Sequence, residues 1–314
     1  MATPVIVDSH IHYYGDDKQY QQNRATYEVW EYGKKDPQFS SYGGDPGDIL
    51  KAMKVAGATK SVCVNLFAVS RVRRRAISDL PAGLTEEQKK KAMPEIEAKM
   101  SRKLKATNME CCDWCAKQKG TVSYIAIDPG VLSTKDMKDH MDDMLKNHGA
   151  RGVKLHQGLQ EFFMNDKRMK PLIEHCIELN LPILAHSGAL RGEHQYVEPN
   201  SYAETLKAFP KLTLVLAHLG GGSWKQTTTL AKAFPNVYFD CCGIIEWAGA
   251  PDAPTNQQLA QMIKDVGPQR VMMGSDFPWY DIKRSVDQVM ALPLLSRQEK
   301  ENILGANAER ILKI

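Results

Sequence analysis

Val5-Ile-Val-Asp-Ser-His-Ile-His12 is a short apolar run that ends in two imidazoles. Alternate side chains of a strand point to the same side, so a strand through this run sends His10 and His12 together. Seven further β-rich runs follow at similar length: Lys60–Leu66, Val122–Ile127, Gly152–His156, Pro182–His186, Leu212–His218, Val237–Cys241 and Arg270–Ser275. Helical patterns lie between them, among them Gly47–Ala56, Lys135–Asn147, Lys170–Leu179, Tyr202–Phe209, Thr228–Phe234 and Asn256–Val266. Many of the strand runs are almost continuously apolar, as expected for strands covered on both faces. Eight strands alternating with helices predict an α/β fold, a closed (β/α)8 TIM-type barrel, as one domain across all 314 residues. Ser70–Lys119 breaks the repeat. It is rich in Lys, Arg and Glu, and Thr85-Glu-Glu-Gln88 has the form of a capping box. This segment reads as a helical insertion after the second strand, and Tyr13–Asp45 as a long, aromatic-rich loop after the first.

In such a barrel the C-terminal ends of the strands converge on one mouth, where catalytic groups gather. His10, His12, His156, His186 and His218 all fall at strand ends, and Asp276 follows the eighth strand in Gly-Ser-Asp-Phe-Pro278. Five of the nine histidines therefore face one place, whereas His140, His148 and His175 fall on helices or their ends. His194, in the loop after the fifth strand, is either a substrate contact or solvated. Two neutral imidazoles two residues apart can chelate one divalent cation, with zinc the commonest choice.

These stretches resemble the amidohydrolase superfamily, and most closely its amidohydrolase-2 branch of decarboxylases, hydratases and hydrolases. The resemblance is carried by Val7-Asp-Ser-His-Ile-His12, Gly152-Val-Lys-Leu-His156, Ile183-Leu-Ala-His-Ser-Gly188, Leu216-Ala-His-Leu-Gly-Gly-Gly222 and Gly274-Ser-Asp-Phe-Pro278, with a closing helix at Ile303–Leu312. It is weakest over Tyr13–Asp45 and Ser70–Lys119. The resemblance implies that His10, His12, His186 and Asp276 hold one divalent metal ion, zinc first and manganese second. It also implies that His218 and Asp276 are catalytic. A divalent ion brings the pKa of bound water toward about 7. Asp276 can ligate, accept the water's proton, or do both, while His218 can move a proton or stabilise charge on a carbonyl oxygen. Lys154, two residues before His156, points inward with it. In the binuclear branch a lysine near this point is carbamylated and bridges two metals. The alternative is a cation that pairs with Asp8 or binds a substrate carboxylate. One metal is the expectation here, with His156 as a pocket residue.

Further residues are open to two readings. Gly220-Gly-Gly-Ser-Trp224 offers free backbone N–H groups to an anion, or is a turn. Arg71, Arg73, Arg74 and Arg75 follow the second strand, and at most one is expected to reach the mouth. Asp240 ends the seventh strand as a buttress or a reactant. Glu246, Trp247, Phe277, Trp279 and Tyr280 occupy the last two loops, and Trp247 and Trp279 are taken as walls for a flat or aromatic substrate.

A formal net charge of +4 is too mild to point to nucleic acid, and no apolar run approaches the roughly 18 residues of a membrane span. Met1-Ala-Thr-Pro4 carries neither a charged leader region nor a cleavage site, and seven scattered cysteines read as reduced thiols. Cys112-Asp-Trp-Cys115 lacks a second pair to complete a zinc site. The expectation is therefore a cytoplasmic enzyme with a small-molecule substrate, and a homo-oligomer is suggested only by the habit of the family. The reaction expected is hydrolysis of an ester, lactone or amide. The alternative is non-oxidative decarboxylation of a small aromatic or unsaturated acid. A metal-free binding protein on a degenerate barrel is the third reading, and the intact histidine set opposes it.

Overall fold

All eight β-rich runs form strands in the computed structural model, which describes residues 5–25, 31–188 and 194–314; the side chain of His194 lies outside the described set. They are β1 (Val7–His12), β2 (Lys60–Val64), β3 (Thr121–Ala126), β4 (Ala150–Leu155), β5 (Ile183–Ala185), β6 (Leu214–Leu216), β7 (Val237–Asp240) and β8 (Val271–Met272). The order in the sheet is sequential, and every pairing is parallel. Just past β8 the chain turns back onto β1 and closes the barrel. Ser9 N–H donates to Met273 C=O at 3.0 Å, His12 N–H to Phe277 C=O at 2.7 Å, and Asp276 N–H to His10 C=O at 2.9 Å.

The last strands are shorter than the sequence suggests. His218 and Leu219 adopt φ of 62° and 45°, and Asp276 adopts φ of 62°. That left-handed region is incompatible with a strand, so the ladder of β6 stops before His218 and that of β8 before Asp276. In β1 the register shifts between Asp8 and Ile11. Such a bulge changes which face a side chain takes. Val7 therefore packs in the barrel with Val62, Val64, Tyr124, Leu184, Val215 and Met272, while His10 and His12 higher up also turn inward. Ala308, Ile311 and Leu312 of the closing helix Asn307–Leu312 complete this cluster.

Between β2 and β3 stand two helices, Val69–Ser78 and Glu86–Ala116. The second starts where the capping box falls: Thr85 Oγ1 accepts from Gln88 N–H at 3.2 Å, and Gln88 Oε1 accepts from Thr85 N–H at 2.8 Å. Met100, Leu104, Asn108, Cys111, Cys112 and Cys115 are buried along this helix at near-helical spacing, which turns one face to the barrel. On that face Asn108 takes both backbone bonds of Ala126, at 2.8 Å each. No helix among the described residues is long and apolar enough to cross a membrane.

Two stability tests arise here. A Cβ on Gly152 would sit 2.4 Å from the buried ring of Tyr124 on the neighbouring strand. Gly152→Ala is therefore expected to destabilise the barrel by about 1–3 kcal/mol through overpacking. The check is a lower urea midpoint at unchanged slope. Asp128, after β3, accepts from Gly130 N–H at 2.7 Å and from Gln160 Nε2 at 3.2 Å, and burial pushes its carboxyl up to about 6. Its folded value lies above the unfolded one, so its contribution is full below about 4 and is lost as pH rises through about 6. Asp128→Asn should flatten that part of the stability–pH curve, and an unchanged curve would remove the assignment.

Candidate metal centre and catalytic site

The residues singled out at the strand ends meet in one buried cluster. His12 Nε2 lies 2.9 Å from Asp276 Oδ1, and His10 Nε2 lies 3.6 Å from the same oxygen. Lys154 Nζ lies 2.9 Å from His10 Nε2, and His218 Nε2 lies 3.1 Å from His186 Nδ1. His156 stacks on His186, with ring centroids 3.9 Å apart and planes within 5°. The loops after β5 and β6 can approach this closely because glycines meet there. A Cβ on Gly188 would stand 2.6 Å from Gly221 Cα, and both glycines have positive φ.

Hydrogen-bond direction tests whether these residues suit a metal ion. His186 Nε2 faces the Gly188 carbonyl at 3.0 Å, and His218 Nδ1 faces the Cys242 carbonyl at 3.1 Å. A carbonyl only accepts, so each ring carries its hydrogen on that side. His186 Nδ1 and His218 Nε2 then face each other as two lone pairs, an arrangement that a cation on His186 or a proton on His218 relieves. Likewise His10 Nδ1 lies 3.0 Å from Asp240 Oδ2, which orients the ring and leaves Nε2 toward the centre. Neutral nitrogens with a carboxylate are the donors that divalent ions take. The residues fit such an ion.

The electrostatics agree. Burial, then the charge of Lys154, lowers His10 to about 4, and burial also lowers Lys154. Burial and the neighbouring rings and Lys154 hold His186 and His156 well below the usual range. Burial alone would raise Asp276, but the hydrogen bond and charge of His12, with the charges of His10 and His218, hold it below the usual carboxylate range. Asp240 behaves the same way: its bond to His10 and the charges of His10 and His218 outweigh burial and bring it to about 2.

Two site residues escape the sequence reading. Cys242 Sγ lies 3.1 Å from both His10 Nδ1 and His218 Nδ1, and 2.9 Å from Asp240 Oδ1. Donor atoms of His10, Cys242 and Asp276, and of His218, Asp240 and Cys242, fall within 4.8 Å of one another. A usable signal existed, because Cys242 stands two residues past β7, the offset of His218 past β6. Glu31 is the other. It lines a cavity with Tyr32, His186, His218 and Asp276. It lies in an irregular loop, where no periodicity could pick it out.

The remaining candidates are distributed as follows. Lys154 meets His10, whereas Asp8 accepts from Ser275 N–H, Ser275 Oγ and His10 N–H. Trp279 packs on Tyr20 and Phe39, with ring centroids 5.6 and 5.4 Å away, and does not line the cavity. Trp247 is buried, and its indole N–H is taken by Tyr280 Oη at 2.7 Å. Glu246 is held by Arg284 and Ser285. Of the four arginines, Arg73 reaches Gly130 C=O and Arg74 reaches Glu161, while the charge of Arg71 acts on His156. Gly221 and Gly222 line the cavity. All seven cysteines are free and buried, and Cys112 accepts from Ser123 Oγ at 3.0 Å.

Comparison with known proteins places this arrangement. A search of curated proteins gave no match. Among solved structures, an uncharacterized TIM-barrel protein from Bordetella bronchiseptica is similar at 19% identity and TM-score 0.68, over 98% of each chain. A dihydroxybenzoic acid decarboxylase from Polaromonas sp. JS666, with bound manganese and 2-nitroresorcinol, is similar at 14% identity and TM-score 0.67, over 100% of this chain and 97% of that one. A putative 2-pyrone-4,6-dicarboxylic acid hydrolase from Pseudomonas putida is similar at 18% identity and TM-score 0.61, over 99% of this chain and 98% of that one. At these identities the likeness is one of fold. A family model described as amidohydrolase (Amidohydro_2) matches residues 7–314. Since that match runs from the first residue of β1 to the end of the chain, this protein belongs to the amidohydrolase family.

Proposed function

We propose that the protein is a metal-dependent hydrolase of a small ester, lactone or amide. The observation that carries this reading is the convergence of His10, His12 and Asp276, with Asp276 Oδ1 at 2.9 and 3.6 Å from the two imidazoles. His10, His12, His186 and Asp276 would hold one divalent ion. When bound, that ion supplies the Lewis acidity that brings the pKa of water toward about 7. Asp276 accepts the proton of the attacking water. His218, with Nδ1 tied to the Cys242 carbonyl, donates from Nε2 when protonated to the oxygen that gains negative charge. His156 supports His186 by stacking, and Lys154, with Nζ 2.9 Å from His10 Nε2, stands beside the single ion rather than bridging two.

The second reading is a decarboxylase. It is favoured by the likeness to the Polaromonas enzyme, whose structure holds manganese. Elemental analysis and a substrate panel separate the two. One zinc or manganese per chain and hydrolysis of lactones or esters, without CO2 release from aromatic acids, are expected. CO2 release in place of hydrolysis would establish the second reading. A metal-free protein that neither ion activates would remove both. Two ions per chain, with activity lost in Lys154→Ala and restored by short carboxylic acids, would replace the one-metal assignment.

A further inference from the structure

Glu31 belongs to the loop after β1, yet it is held by the loops after β7 and β8. Tyr32 C=O accepts from Asp252 N–H at 3.0 Å, and the Tyr32 ring lies 6.0 Å from that of Trp247. Lys34 N–H donates to Glu31 C=O at 2.9 Å, which tightens the turn. The carboxyl itself ends a hydrogen-bonded relay. An indole N–H only donates, so Trp247 Nε1 gives its hydrogen to Tyr280 Oη at 2.7 Å. The Tyr280 hydroxyl then gives its own to Glu31 Oε2 at 2.5 Å. With Oε2 taken as an acceptor, a proton carried by Glu31 sits on Oε1. Glu31 lines the same cavity as Asp276, His186 and His218.

We propose that Glu31 is the proton donor to the leaving oxygen of a lactone or alkyl ester bound in this cavity, positioned by the Trp247–Tyr280 relay. The inference rests on the hydrolase reading. As the carbon–oxygen bond breaks, the leaving oxygen keeps the bonding pair and takes the proton from Glu31 Oε1. The water that attacked gives its proton to Asp276, which releases it to solvent, and Glu31 regains one from solvent. One water and one ester become one acid and one alcohol. The substrate class follows: poor leaving groups, which need a donor, rather than activated phenols, which do not. Burial raises the Glu31 carboxyl, Tyr280 and Trp247 oppose that by hydrogen bonding and Asp276 adds to it by charge, leaving Glu31 at about 7. The ionisable groups that face it are Tyr280 and Asp276 from the loop after β8 and the two cavity histidines, His186 and His218.

The test uses the full-length, metal-loaded protein and esters of one acid with leaving groups from 4-nitrophenol to simple alcohols. Glu31→Gln should cost about 10²–10⁴-fold in kcat/KM on alkyl esters and lactones, and little on the 4-nitrophenyl ester. Tyr280→Phe removes a donor to the ionised carboxyl, so the alkaline limb of kcat/KM for alkyl esters should move to higher pH. Infrared difference spectra between wild type and Glu31→Gln at pH 6 should show the band of a protonated carboxyl, independently of any substrate. An equal loss on every ester, or no such band, overturns the donor role while leaving the hydrolase reading intact. A wild type inert to the whole series removes the hydrolase reading and the donor role together.

Discussion

Asp276→Asn is expected to lower kcat/KM by about 10²–10⁴-fold, the range for loss of a positioned proton acceptor. Asn is chosen over Ala because residue 276 sits at φ 62°, where Asn is tolerated and Ala is strained. The substitution keeps the shape but removes the charge between His12 and His10, at 2.9 and 3.6 Å. Metal content should fall with activity, because the only carboxylate in the expected ligand set is gone. Kinetics, elemental analysis and circular dichroism on the same preparation separate loss of chemistry from loss of fold. Near wild-type turnover at full metal content would remove Asp276 from the mechanism.

Asp240→Ala should lower affinity for the divalent ion by roughly 10–100-fold, although Asp240 is outside the expected ligand set. Its Oδ2 faces His10 Nδ1 at 3.0 Å, while Oδ1 accepts from His218 N–H at 2.8 Å and Cys242 N–H at 3.2 Å. One carboxylate therefore orients two imidazole-bearing segments. Removing it leaves buried donors without an acceptor, at about 1–3 kcal/mol for each group left unsatisfied. Metal affinity by competition with a chromophoric chelator reads the first effect, and denaturant unfolding of the metal-free protein reads the second. Unchanged affinity together with lost stability would make Asp240 purely structural.

Sequence and structure agree where periodicity is strong. The helices Asn256–Val266 and Pro46–Ala56 and the Thr85 capping box are local features, set by nearby residues alone. The gathering of His10, His12, His186, His218 and Asp276 was legible because strand ends converge in any such barrel. What escaped lies in tertiary detail. The early end of β6 comes from the left-handed His218 and Leu219, which propensity does not signal. Trp279 could be placed near the mouth, but its packing on Tyr20 and Phe39 depends on a loop with no regular pattern. Glu31 was hidden for the same reason. Cys242 does not stand out in the sequence because a cysteine after a strand is ordinarily a small buried hydrophobe.

The chemistry-bearing side chains around the mouth are unevenly distributed. β1, β4, β5, β6 and β7 and the turn after β8 carry the histidines, Lys154, Asp240 and Asp276, whereas β2 and β3 carry none of them. The helices Val69–Ser78 and Glu86–Ala116 rise from that silent arc, and the Arg71 charge reaches His156 from there. That arc is therefore not inert: a change of charge at Arg71 is transmitted to the imidazole stacked on His186, so the electrostatics of the cluster can be tuned from a helix that supplies none of its members.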